Sequence, residues 1–305
     1  MNFKYVSARG DILPLSDNND FVLINIDGHT SISTDISSSV IGGIDGDTVN
    51  NVQAQPRTIV LDFRFKSGVN IELAKREILK IIKPKQYGAL IWEQDERSVM
   101  ISGVVESIDM PRWNNAVVMQ VALHCEMPYW EDIDAVIGEI SEAINLHYFT
   151  ENPYGMLYFP EDGMPLGEYD TIRTKSVYNA GDVSVGMEIT IVALDTVTNP
   201  IIYDQDGRYF GLGYYIETET ESASGGLISS AVYVPLEMKA GDNIVISTHK
   251  GRKTVTLNGV SIFDKIKPGS SWLQLAAGDN QFSINSDDES ISNMAFSLVY
   301  KQRYV

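Results

Sequence analysis

Residues 59–66 read IVLDFRFK, with Ile59, Leu61, Phe63 and Phe65 alternating against Val60, Asp62, Arg64 and Lys66. Successive side chains of a strand point to opposite faces, so this period predicts a strand buried on one side. A few residues later the period changes. Ile71, Ala74, Ile78, Ile81 and Ile82 form the stripe of an amphipathic helix, predicted over 71–83. Asn70 stands at its N-cap, Glu72 suits its positive end, Lys80 and Lys83 its negative end, and Pro84 stops it. Glu72 and Arg76, four apart, are placed to pair on its exposed side. Further strands are predicted at 88–92, 98–108 and 115–125, the last alternating Val117, Met119, Val121, Leu123 and Cys125. The first half therefore reads as an α+β domain with one helix.

Upstream, residues 37–57 read SSSVIGGIDGDTVNNVQAQPR. Their Gly, Asn and Asp content predicts a long loop or projecting hairpin. Val40, Ile41, Ile44 and Val49 interrupt this polar run beside Asp45 and Asp47. An isolated loop has little reason to carry such apolar anchors. They are candidates for a subunit interface formed by an arm; the alternative is a hairpin packed on its own domain.

Downstream, a short helix is predicted over 132–146. The run ENPYGMLYFPEDGMPLGEY, with Pro153, Pro160 and Pro165 among glycines, forbids a long regular element. Beyond it the pattern becomes all-β. Met187, Ile189, Ile191 and Ala193 alternate, and IVIST (244–248), TVTL (254–257), VSIF (260–263), WLQL (272–275), QFSIN (281–285) and AFSLVY (295–300) read as strands. Asn258-Gly259 is a two-residue hairpin signal, because both residues tolerate positive φ. The expected organisation is an N-terminal α+β domain at 1–135, a connector at 136–176 and an antiparallel β-sandwich at 177–305, mainly β overall.

At 305 residues two domains are the default, and 44% hydrophobic with 21% charged residues is ordinary globular usage. The formal net charge of −18 repels phosphate backbones and anionic lipid, which argues against nucleic-acid binding. No apolar run reaches the ~18 residues of a membrane-spanning helix, so membrane insertion is not expected. Residues 1–10 carry no secretory pattern, and a lone cysteine, Cys125, makes no internal disulfide, so intracellular synthesis is expected.

Catalytic and metal-binding patterns are missing from the sequence: no phosphate loop, no G-x-S-x-G and no H-E-x-x-H. His29, His124, His147 and His249 lack ligand spacing, and no cofactor or metal is expected. Cys125 reads as a buried small hydrophobe. Asp204 and Asp206 before Gly207 imitate the start of a calcium loop, but Arg208, Leu212 and Tyr215 stand where ligands should follow. Tyr203, Tyr209, Tyr214 and Tyr215 crowd one Gly-containing segment and are candidate saccharide contacts, since exposed aromatic faces stack on sugar rings. A free carbohydrate-binding protein and a glycan hydrolase with paired carboxylates are the rival readings.

The order of these segments resembles a known family. RTIVLDFRF from Arg57, then AKREILKII, then a strand closing on CEMPYW at 125–130 look like the ring-forming domain of phage distal tail proteins. VYNAGDVSVGMEITIVA (177–193), LEMKAGDNIVISTHKGRKTVTLNGV (236–260) and SSWLQLAAGDNQFSIN (270–285) are similar to that family's galectin-like or carbohydrate-module-like sandwich. The resemblance implies a split-barrel-like ring domain carrying a projecting hairpin, and a structural role without catalysis. It implies a homohexameric ring at the virion tail tip, or on a phage-derived tail particle. Its partners would be the tail tube protein, the tail hub and a receptor-binding protein, with DNA only as passing cargo. Residues 138–176 and 217–230 are longer than that family pattern leads one to expect.

Overall fold

A computed structural model describes residues 2–16, 18–43, 45–94, 97–110, 112–113, 116–139, 143–144, 168–169, 174–221, 227–287 and 293–305. The chain divides into two compact units, Met1–Asp134 with Arg303–Val305, and Ala135–Gln302. The three C-terminal residues thus return to the first unit. Most of the expected connector between 136 and 176 lies outside the described residues, as does Ile44.

The first unit contains β1 (Asn2–Ser7), β2 (Ile12–Pro14), β3 (Phe21–Asp27), β4 (Thr34–Ser39), β5 (Thr48–Ala54), β6 (Arg57–Phe65), α1 (Ile71–Ile81), β7 (Tyr87–Gln94), β8 (Arg97–Asp109), β9 (Arg112–Trp113), β10 (Ala116–Cys125) and β11 (Trp130–Asp132). One antiparallel sheet runs β2-β1-β7-β8-β10-β6-β3. It is open: β2 and β3 form its two ends and do not pair, so the split-barrel expectation is met by a sheet that does not close into a barrel. The quoted alternation holds along β6, where Ile59, Leu61, Phe63 and Phe65 are buried and Thr58 and Arg64 are exposed. Ala74, Ile78 and Ile82 of the helical stripe join the same apolar cluster as β6 and β10. The Asn70 side chain accepts from the Leu73 amide at 3.2 Å, capping α1 as expected. The exposed ion pair of α1 is Lys80–Glu77 at 2.5 Å, three residues apart.

The second unit contains β12 (Val136–Glu139), β13 (Ala143–Ile144), β14 (Glu168–Tyr169), β15 (Thr174–Asn179), β16 (Met187–Ala193), β17 (Val197–Thr198), β18 (Ile201–Asp204), β19 (Tyr209–Gly211), β20 (Tyr214–Glu221), β21 (Leu227–Val234), β22 (Glu237–Met238), β23 (Asn243–Ser247), β24 (Thr254–Leu257), β25 (Val260–Ser261), β26 (Gly278–Asn285) and β27 (Met294–Tyr300). Sheets β12-β27-β16-β23-β24-β25 and β15-β26-β18-β19 supply the inward faces of one apolar core, the predicted sandwich. β28 (Arg303–Tyr304) follows and pairs with β11 of the first unit.

Three local expectations are corrected. The helix predicted over 132–146 is replaced by strands: Val136–Glu139 pairs along β27, and neighbouring-strand pairing outweighs a weak local helical pattern. VSIF keeps only Val260–Ser261 as strand, then turns into a short 3-10 helix at Phe263–Lys265. WLQL is not a strand; within it Leu275 makes an isolated bridge to Val185. In the segment 256–261 the predicted Asn-Gly turn is present, with φ +48° at Asn258 and +80° at Gly259. No helix among the described residues is long and apolar enough to cross a membrane.

Candidate subunit interface

Among the described residues, β4 and β5 pair only with each other, as a two-stranded hairpin separate from the main sheet. Every residue of β4 is exposed, and every residue of β5 except Ala54. Ile36 faces Val52 across the ladder, and both are more than half exposed. Towards the tip Val40 is 80% exposed, with Ile41 and Val49 also open to solvent. Large apolar side chains left in water on a projecting hairpin forgo the burial that ordinarily stabilises them. Of the predicted interface residues, the structure therefore brings Val40, Ile41, Asp45, Asp47 and Val49 together on one exposed hairpin. The sequence reading missed Ile36 and Val52; their signal was an isolated Ile and Val, each set among Ser, Asp, Asn and Gln.

The base of the hairpin is anchored. The Gln55 amide donates to the Ser33 carbonyl at 2.9 Å. Arg57, 5% exposed, donates from Nη1 to the carbonyls of His29 at 2.9 Å and Gly28 at 3.4 Å. Trp130 Nε1 donates to the same His29 carbonyl at 2.9 Å. Gly28 adopts φ +75°, and a Cβ there would lie 2.3 Å from the Thr58 carbonyl oxygen, so only glycine permits this close approach. His29 meets Trp92 edge-on, and Trp92 stacks on Phe3. Burial lowers the Arg57 pKa, with the neighbouring Cys125 opposing that shift. Burial pushes the Cys125 thiol up to about 11, in keeping with its reading as an inert apolar residue.

The four tyrosines of the saccharide expectation divide between two sheets. Tyr203 faces Tyr209 across β18–β19 with ring centroids 6.0 Å apart, and Tyr209 Oη donates to the Pro268 carbonyl at 2.9 Å. Tyr215 meets Tyr233 across β20–β21 at 6.1 Å, both exposed, while Tyr214 is half-buried. The calcium-like turn is closed by a cation of its own. Asp204 Oδ1 accepts from the amides of Asp206 and Arg208, and the Arg208 guanidinium bridges Asp204 Oδ2 at 2.7 Å and Asp206 Oδ2 at 2.6 Å.

Residues 10–125 match the phage tail protein RIFT-related domain, and residues 180–304 the siphovirus-type tail component C-terminal domain. Among solved structures, the chain is similar to the Dit protein of phage SPP1, described as a paradigm of the hub adsorption apparatus in phages infecting Gram-positive bacteria. That match has 13% identity, a TM-score of 0.65, and coverage of 99% of each chain. A chain of the phage p2 baseplate in its activated conformation is also similar, at 10% identity and a TM-score of 0.45, covering 99% of this chain and 97% of that one. No curated protein matches the sequence.

Proposed function

Because the chain belongs to the siphovirus-type tail component family, in which it is a structural tail protein, we propose that it forms a homohexameric ring at the distal end of the tail, with the β4–β5 hairpin as its inter-subunit arm. In this reading the ring joins the tail tube protein to the hub, carries or neighbours a receptor-binding protein, and lets DNA pass without binding it. It performs no catalysis, and it is made in the host cytoplasm before assembly into the virion. The observation that carries the assignment of the arm is its row of exposed apolar side chains, Ile36, Val40, Ile41, Val49 and Val52. A neighbouring copy that covers them recovers burial free energy that the single chain forgoes. The acidic surface agrees with DNA as cargo, since attractive charges along a bore would retard the phosphate backbone.

Deleting residues 42–50 tests the proposal. The expected result is loss of hexamers, measured by particle mass and by electron microscopy, while the melting temperature of the monomer stays nearly constant. Intact hexamers would show that the arm is dispensable, and an unfolded monomer would show that the hairpin belongs to its own core.

A further inference from the structure

The acidic chain concentrates positive charge in one stretch of the second unit's sequence. Between residues 250 and 267 stand Lys250, Arg252, Lys253, Lys265 and Lys267, against Asp264 as the lone acid. The loop after β23 presents Lys250, Arg252 and Lys253 to solvent, and no ion pair engages them among the described residues. Beside them lies an aromatic platform. Phe263, 54% exposed, stacks on half-buried Trp272 with ring centroids 5.9 Å apart and planes 30° apart. Trp272 in turn packs on buried Phe210 at 4.9 Å, which fixes its plane to the core. The Lys253 ammonium sits 5.3 Å from the Trp272 ring centroid, so the basic loop and the platform are one surface. The 3-10 turn that carries Phe263 is held by the Ile262 amide donating to the Val255 carbonyl at 3.0 Å.

We propose that Phe263, Trp272 and the Lys250–Arg252–Lys253 loop form a binding surface for an anionic saccharide polymer. The exposed Phe263 ring offers an apolar face to the C–H side of a sugar ring. The loop supplies cations at the platform's rim for carboxylate or phosphate groups on the polymer, and exposed Thr254 and Ser261 add hydroxyls nearby. An acidic protein would engage the cations too; what a sugar ring adds is stacking of its C–H side on the outer face of Phe263, the face that Trp272 leaves open. The proposed contacts do not include Tyr203, Tyr209, Tyr214 or Tyr215, and the proposal does not depend on ring assembly.

Three probes offered to the full-length protein separate the parts of the proposal: polygalacturonate, with sugar rings and carboxylates; neutral dextran, with rings alone; and poly-glutamate, with carboxylates alone. Binding is read by isothermal titration calorimetry at low and physiological salt. Polygalacturonate is expected to bind at least about tenfold more tightly than either control, and to weaken as salt rises. Phe263→Ser is expected to weaken it about tenfold. Lys250→Glu combined with Arg252→Glu is expected to abolish it. Lys250 and Arg252 are exposed, so the charge-reversed variant should keep the parent's melting temperature, whereas Phe263→Ser gives up the contact with Trp272 and is assayed well below its own melting temperature. Poly-glutamate binding as tightly as polygalacturonate, with Phe263→Ser silent, would overturn the proposal in favour of an acidic protein partner. Dextran binding equally well would overturn the role of the cations, and no binding of polygalacturonate would overturn the site.

Discussion

Replacing the facing pair Ile36 and Val52 by serine is the sharpest test of the arm, because it leaves the hairpin's backbone and length untouched. Both side chains are more than half exposed in the single chain, at 58% and 57%. Fully burying an aliphatic side chain is worth about 1.5–3 kcal/mol, so covering the exposed half of each yields about 1 kcal/mol. The double variant therefore loses about 2 kcal/mol at each subunit contact that the arm makes, or about thirtyfold in affinity. A closed ring of six such contacts amplifies that deficit, and the assembly midpoint should move to higher protein concentration by at least that factor. The monomer should lose no more than about 0.5 kcal/mol, the usual bound for surface substitutions. Sedimentation velocity across a dilution series reads the assembly, and urea unfolding of the dilute monomer reads the fold. An unchanged assembly midpoint would refute the arm as an interface. A monomer weakened by 2 kcal/mol or more would place the pair in an intramolecular core instead.

Three further outcomes are expected. Cys125 titrates from an ordinary value of 9.0 to about 11 in the fold, so between pH 9 and pH 11 the unfolded chain releases a proton that the folded chain keeps. Stability should fall as pH rises through that window, buried Tyr5 and Tyr300 shift in the same sense, and Cys125→Ala should flatten the fall in the urea midpoint; an identical slope refutes the assignment to the thiol. Deleting residues 303–305 removes the Arg303–Glu131 ion pair at 2.6 Å, the Tyr304–Asp132 hydrogen bond at 2.9 Å and the stacking of Arg97 over Tyr304. It should cost the first unit about 2 kcal/mol in denaturant unfolding, and no change would mean that the returning strand is ornamental. Limited proteolysis should cut first within 138–176, where prolines and glycines cluster, and first cuts within 236–285 would contradict the two-domain organisation.

Most of the fold is legible because burial in this chain follows the strand period. β6, β16 and β27 each bury alternate residues, so the pattern alone fixes which face meets the core. α1 is equally readable, since cap, stripe and Pro84 agree. What escaped depends on residues far apart in sequence. Val136–Glu139 becomes a strand because β27, some 160 residues away, offers an edge to it. Arg303–Tyr304 returns to the first unit by pairing with Trp130 and Glu131, and nothing local in KQRYV announces that. The burial of Arg57 was likewise hidden. As the first residue of an alternating strand it falls on the inward face, and only the folded loop at Gly28 and His29 shows which carbonyls accept its protons.

The hairpin's composition bears on how it would act as the proposed arm. A lone two-stranded ribbon is marginally stable, and both its outer edges present unpaired backbone groups to other strands. Here the anchors are interrupted along the chain: three serines separate Ile36 from the Val40–Ile41 pair and two asparagines separate Val49 from Val52, which limits any continuous apolar run for non-specific pairing. Asp35, Asp45 and Asp47 stand on the hairpin without a basic residue between 34 and 54, so arms of two free chains repel one another. That repulsion is screened over about 8–10 Å at physiological salt, whereas apolar contact with a complementary surface is not. On the proposed reading, the arm is thereby biased against its own kind and towards a different surface on the neighbouring copy. Such a head-to-tail contact, rather than a two-fold one, is what the proposed ring requires.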